Sequence, residues 1–403
     1  MAKRILIVGA GFAGLWSALG AARLIDQAGV ADESIEIALI APEPALHLRP
    51  RFHEPGPEAM STPLLPLLEA VGVRYFQGQV ERIAAHEHTV DAIDAGGNRF
   101  TLAYAKLVLA TGSKLFRPEL PGLREHAHSI DQMHEACALD AHITSLANLP
   151  ATRARNTVVV VGGGFTGIEI ACELPARLRA AWGHDCIVDI TVIEQAPHIG
   201  PDLGPGPRPV IEQALRESGV TWRVNTAVVA IDAEGLVTST GERIEAKTVI
   251  WTAGMRANTL TEQIEGQRDR LGRLHVAADL RVAGVPDIFA TGDVALAMTD
   301  DLGHHALMSC QHALTMGRYA GHNVAADLLG RATIPYRQPF YATCLDLGGW
   351  GAVYTEGWDR SVKLIGTDAK ALKQMINTRV IYPPPPDRAA ALAAADPEAK
   401  LVA

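Results

Sequence analysis

The sequence predicts an α/β fold of two Rossmann-like domains followed by a small α+β C-terminal segment, and three observations predict it. A glycine run of the form Gly-x-Gly-x-x-Gly follows an apolar strand twice, at Gly9, Gly11 and Gly14 and again at Gly162, Gly164 and Gly167. The segments around each run recur in the same order, as in an internal duplication. A chain of 403 residues, at about 150 per domain, has room for two to three domains with sizeable cores.

Arg4–Val8 opens the first copy, because Ile5-Leu6-Ile7-Val8 is the continuous apolar run of a strand covered on both faces of a parallel sheet. Read by hydropathy alone, Lys3-Arg4 and the run Ile5–Ala22 would pass for an export signal or a spanning helix. Three glycines placed where a strand turns into a helix favour the strand–helix reading instead. Ile35–Ile40 is the second strand. Val80–Ala103 is a meander turning at Gly96-Gly97, and strand Lys106–Leu109 runs into Ala110-Thr111-Gly112. The second copy repeats the order: strand Thr157–Val161, glycine run, strand Val188–Ile193, meander Val228–Ile244 with Gly241, then strand Thr248–Trp251 running into Thr252-Ala253-Gly254. A closing segment, Asp287–Asp293, occurs once and must complete one domain from a distance.

Each glycine has its own mechanical reason. The first allows a tight turn, the second lets backbone approach a pyrophosphate, and the third lets the helix pack close to the sheet. The helix N-terminus then offers free N–H groups to the phosphates. From Gly167, 27 positions reach Glu194, just after the second strand, where an acid accepts hydrogen bonds from an adenosine ribose. Glu194 therefore favours NADH over NADPH, against the plainer reading of a solvated strand-end acid. From Gly14, the same 27 positions reach Ala41, a departure from the pattern. Either Glu43 reaches back, or the first dinucleotide is held without a ribose carboxylate.

Composition narrows the classes. Apolar residues make up 48% and charged ones 20%, as in a folded globular chain. A net charge of −9 lacks the basic footprint of a nucleic-acid binder. Five scattered cysteines (Cys137, Cys172, Cys186, Cys310, Cys344) form no Cys-x-x-Cys pair, which excludes a zinc ribbon, a thioredoxin-type dithiol and a disulfide scaffold, and fits a reducing cytosol. His304, His305, His312 and His322 lack convincing metal-ligand spacing, so no metal is expected.

The duplicated pattern is similar to the two-dinucleotide-binding flavoproteins over residues 1 to about 380, and within them to type II NADH dehydrogenases. Gly164-Phe165-Thr166-Gly167-Ile168-Glu169-Ile170-Ala171-Cys172-Glu173-Leu174 and Val249-Ile250-Trp251-Thr252-Ala253-Gly254-Met255 carry the likeness. The disulfide-reductase branch usually places a cysteine pair on its first helix, and Leu15–Arg23 has none. The resemblance implies FAD on the first module and NADH on the second, with the late strand returning to the first. The implied plan is a FAD domain in two parts, 1–118 and 259–330, a NAD domain at 119–258 with its strand–helix module from about 156, and an acceptor and membrane-contact segment at 331–403 with a loosely ordered tail. FAD contacts are expected at Gly9, Gly11, Gly14, Arg51, Val80, Ala110, Thr111, Gly112, Gly292 and Asp293, with Asp293 on the ribityl chain. NAD contacts are expected at Gly162, Gly164, Gly167, Glu194 and Gly254.

Two residues are the catalytic candidates. The resemblance places Glu169, on the first turn of the second module's helix, near the nicotinamide and flavin, although an acid there is also a routine dipole partner. It places Gln311, near the start of a helix after Ser309, at the acceptor end. The family's Ala-Gln-x-Ala-x-Gln segment reads Cys310-Gln311-His312-Ala313-Leu314-Thr315 here, so the second glutamine is Thr315. Cys310 reads as a buried, inert thiol rather than a reactive one. Arg49, Arg51, His53 and Glu54 form a polar run that either touches FAD phosphates or only covers a loop, with Arg51 preferred for the phosphate contact. Trp350, Tyr354 and Trp358 line an acceptor pocket or fill a core. Gly366–Arg379, with Leu372, Met375 and Ile376 among Lys370, Lys373 and Arg379, reads either as a basic amphipathic helix at an anionic surface or as a helix packed on the protein's own core. The expected reaction passes hydride from NADH to FAD and electrons on to a quinone. The alternatives are a soluble reductase with another acceptor, a sulfide:quinone-type enzyme using Cys310 with Cys344 or Cys172, and a non-enzymatic redox-sensing flavoprotein. A homodimer and a peripheral position on the cytoplasmic face of the inner membrane stay open.

Overall fold

Strand order follows the duplication. The computed structural model describes residues 3–30 and 34–399. Ile288–Ala290, Lys106–Leu109, Lys3–Val8, Ile35–Ala41 and Val73–Gln77 lie side by side in that order, all parallel. A second all-parallel sheet runs Thr248–Trp251, Thr157–Val161, Asp189–Ile193, Val220–Arg223. The two match strand for strand, except that Ile288–Ala290 has no counterpart. The segment that occurs once in the sequence thus joins the first sheet. Each module also carries a three-stranded antiparallel meander, Gln79–Ala84 with Thr89–Ile93 and Arg99–Ala103, and Val228–Asp232 with Gly235–Thr238 and Arg243–Glu245. Strands Ser113–Leu115 and Met255–Ala257, which leave the two modules, pair antiparallel and tie them together.

The apolar N-terminal run resolves into strand Lys3–Val8 and helix Phe12–Gln27, which is buried almost all round. That explains its hydropathy without a membrane. Among the described residues no helix is long and apolar enough to cross a bilayer. Helix Phe12–Gln27 packs along helix Cys310–Leu328 at backbone contact: a Cβ on Gly321 would stand 2.1 Å from the Ser17 carbonyl oxygen, and one on Gly20 2.7 Å from that of Arg318. This close crossing fixes the start of the Cys310 helix beside the first glycine run.

The C-terminal segment takes the second of the two readings open to its helix, packing on the protein's own core, and departs from the expectation of a loose tail. Helix Gly366–Met375 does not offer its lysines to an outside surface. Lys370 and Lys373 turn inward to Asp346 and Glu169, because two carboxylates already stripped of water draw them in. The Ala-rich tail is not loose. Asp387 caps helix Arg388–Ala394, Ala391 and Ala395 are buried, and Arg23 pairs with Asp396 at 2.7 Å. Alanine's helix propensity and a one-sided apolar stripe account for it. Residues 400–403 of that tail lie outside the described residues.

Candidate functional site

A single cavity of about 2580 Å³ opens where the carboxyl ends of both parallel sheets face each other. Both glycine runs line it, through Gly9 and Gly11 on one side and Gly162 and Gly164 on the other. Ala110, Thr111, Gly112, Val80, Asp293, Glu194, Gly254, Glu169 and Gln311 line it as well. Gly14, Gly167 and Gly292 are not in the wall. A Cβ on Gly14 would lie 1.8 Å from the Gly9 oxygen, and one on Gly167 the same distance from that of Gly162. A Cβ on Gly292 would meet Ala13 Cβ at 2.7 Å. These three set the closeness of helix to sheet, while Gly11 and Gly164 have open space before them.

The cavity is chemically suited to two dinucleotides. Helices Phe12–Gln27 and Phe165–Trp182 both start at it with no side-chain cap and no acid in the first turn, so their positive ends are free to meet phosphate. Thr111 Oγ1, in the wall, is buried without a partner. Glu194 is held in place by two backbone donors, Gly163 N to Oε2 and Ala196 N to Oε1, each at 2.7 Å. Each oxygen keeps a lone pair for a ribose hydroxyl. At the corresponding place in the first module, Ala41 ends its strand and Glu43, also in the wall, bonds His47 at 3.1 Å.

Arg51 is the site residue that the structure moves. Its guanidinium is taken by Glu54 and by Tyr382 Oη, outside the cavity wall. Arg49 stands in the wall instead, paired with Asp131 and donating to the Ser113 carbonyl at 3.2 Å. The turn Arg49–Arg51 aims alternate side chains apart, a direction that composition could not reveal. Asp293 is buried and accepts from Ser113 Oγ at 2.6 Å. Burial raises its pKa, against the pull of Arg49 and Ser113.

At the centre, Glu169 begins the second turn of its helix and is buried, one step later than expected. Its Oε1 accepts from Lys373 Nζ at 2.8 Å and from Asp346 N at 3.0 Å. Burial opposes the Lys373 charge, yet Glu169 beside it holds the ammonium pKa above its ordinary value. Gln311 follows the Ser309 cap, with Ala342 N at 3.5 Å from its Oε1. Burial pushes the Cys310 thiol up to about 11 and Cys344 likewise, so neither is a ready nucleophile. Tyr354 and Trp358 line the cavity, and Trp358 stacks on Tyr341 at 4.8 Å and on His304 at 4.5 Å. Trp350 points away and donates to Glu217. Asp346 has no role in the sequence reading, which takes His53 only as part of a polar run and Lys373 only as a basic position of the C-terminal helix. The one available sign was two lysines three apart on a short helix, which places both on one face.

Fold and site together define a two-dinucleotide oxidoreductase. The family model for pyridine nucleotide-disulphide oxidoreductases matches residues 3–317. The chain belongs to that family. It is 47% identical over 403 residues to an NADH dehydrogenase-like protein of Mycobacterium tuberculosis, covering 98% of each. It is 29% identical to a type II NADH:quinone oxidoreductase of Staphylococcus epidermidis, covering 94% of this chain and 95% of that one. Its fold is that of NDH2 from Plasmodium falciparum in complex with NADH, with a TM-score of 0.79 at 14% identity over 98% and 97% of the two chains. The five cysteines are all free thiols, and none lies on the first module's helix, so the family's disulphide chemistry has no place there.

Proposed function

We infer that the protein is a FAD-dependent NADH dehydrogenase that delivers electrons to a quinone. One observation carries this: two glycine cradles of opposite modules open into one cavity, with Glu169 and Gln311 between them. FAD, when bound, supplies the acceptance of a hydride and its release as electrons, chemistry no side chain here provides. Residues 1–118 and 259–330 form its domain, and 119–258 the NADH domain. Gly9, Gly11, Thr111, Arg49 and Asp293 hold the first dinucleotide; Gly162, Gly164, Glu194 and Gly254 hold the second. The paired modules orient the two reactive rings and exclude water from between them. Glu169 and its Lys373 partner hold a proton-bearing group at the cavity centre, and Gln311 with the Tyr341–Trp358 aromatics faces the acceptor.

A peripheral membrane position is proposed at the edge strand Ser361–Ile365, where Val362, Leu364 and Ile365 are all exposed beside Lys363. Ile365→Asp combined with Leu364→Glu should abolish flotation with anionic liposomes while leaving turnover of a soluble quinone unchanged. The central test is anaerobic: the purified protein should be yellow, bleach on NADH and regain its colour on adding a soluble quinone. A colourless protein that takes up no FAD would overturn the reading, and so would bleaching by NADH without recovery on quinone.

A further inference from the structure

Glu169 is one link of a longer chain of buried charge. His53 lies between two carboxylates: Nδ1 is 3.6 Å from Glu169 Oε2, and Nε2 is 3.7 Å from Asp346 Oδ2. Lys370 Nζ bonds Asp346 at 2.5 Å, and Lys373 closes the other end on Glu169. Lys370, Asp346, His53, Glu169 and Lys373 thus alternate, drawn from four separate elements. The side chains of the inner four are 3–6% exposed, and that of Lys370 is 26% exposed. Nε2 of His53 is buried with no hydrogen-bond partner, although a carboxylate stands just beyond reach. The ring is free to close either gap by a small rotation, while its backbone is clamped by Arg177 Nη1, which donates to the His53 carbonyl at 2.9 Å. The remaining charged neighbours are Glu173, one turn along the Glu169 helix, and Glu54, which Arg51 and Asn377 occupy.

Reduction of a quinone by NADH consumes a hydride and one proton from water for each quinol formed. We propose that His53 holds that proton and passes it to Glu169, with Asp346 and Lys370 orienting the ring and linking it to solvent. The Nδ1–H bond of His53 breaks as the O–H bond on Glu169 Oε2 forms, and Glu169 in turn gives its proton to the acceptor side of the cavity. The Nε2–H toward Asp346 is kept. The ring is restored when a half-turn brings the bared nitrogen to the Asp346 side and it takes a proton from solvent water at Lys370, leaving hydroxide to the bulk. His53 touches no reacting atom, so it is a positioning and proton-holding residue that acts through Glu169. This inference rests on the NADH:quinone reading above.

The test uses the FAD-loaded protein and His53→Gln, which keeps a hydrogen-bonding side chain of similar length but carries no proton. Bleaching by NADH should stay within about threefold of wild type, while quinone-driven recovery should fall about ten- to hundredfold at pH 8 and markedly less at pH 6, where protons are plentiful. A readout independent of turnover is histidine-labelled nitrogen NMR of the resting protein. Two ring N–H signals should be missing in His53→Gln, and one of them should be lost or displaced in Asp346→Asn with the rest of the spectrum intact. Equal recovery rates in wild type and His53→Gln at both pH values overturn the proposal. So does a resting spectrum in which His53→Gln removes no more than one ring N–H. If wild type itself fails to turn over any quinone, the functional reading falls first and takes this one with it.

Discussion

Replacing Lys373 with methionine strips the cation from a carboxylate that folding has already removed from water. Lys373 Nζ lies 2.8 Å from Glu169 Oε1, and the side chains are 6% and 5% exposed. Deleting one member of such a pair leaves an uncompensated buried charge and costs about 3–5 kcal/mol. Glu169 keeps the Asp346 N–H at 3.0 Å, which argues for the lower end. A loss of about 3 kcal/mol is roughly a hundredfold in the folding equilibrium. Lys373→Met combined with Glu169→Gln removes both charges at nearly constant volume, and should recover most of the loss. The sign with pH is fixed as well. Glu169 raises the folded pKa of Lys373, so the pair's contribution is fully present below the ordinary lysine value and is lost only as pH rises through the folded one. Urea unfolding of the FAD-loaded protein at pH 7 and pH 9 should therefore give the same gap between wild type and Lys373→Met. A single variant within about 1 kcal/mol of wild type, or a double variant no more stable than the single, would refute the reasoning.

Three further outcomes follow from the same geometry. Glu194, preset by two backbone donors, should repel a 2′-phosphate, so kcat/KM for NADH should exceed that for NADPH by about tenfold or more, and Glu194→Gln should narrow the ratio. Gly11→Val should leave a folded but colourless protein, because its side chain enters open cavity, whereas Gly14→Val should fail to fold, because its Cβ strikes the Gly9 oxygen; circular dichroism and the flavin spectrum separate them. Asp346 is held at about 2: burial opposes its charge, and His53 and Lys370 outweigh it. Its contribution of about 2 kcal/mol is thus present above about pH 4 and lost as pH falls towards 2, and Asp346→Asn should flatten the acid unfolding curve over that window.

What the sequence could disclose was local or repeated. Strands Thr157–Val161, Lys106–Leu109 and Thr248–Trp251 end where the apolar runs end, because parallel strands covered on both faces are filled almost entirely by apolar and β-branched side chains. The 27-residue spacing to Glu194 was readable because a strand, turn and helix of set length fix it. Arg51 failed because the choice between it and Arg49 depends on which way a single turn faces. His53, Asp346 and Lys373 failed for another reason. They stand more than three hundred residues apart at the extremes, and their charges look solvated until three elements close over them. The inward lysines show the same effect, since a basic helix and a helix feeding buried carboxylates share one composition.

The late edge strand Ile288–Ala290 has a consequence for synthesis. It is the outermost member of a sheet whose other strands all lie before residue 110. While the ribosome is still making the middle of the chain, Lys106–Leu109 presents an unpaired backbone edge, and every strand of the second sheet emerges before that edge is covered. A polypeptide released near residue 260 would carry a finished second module and a first one open to self-association, so premature termination should yield aggregates rather than a half-working enzyme.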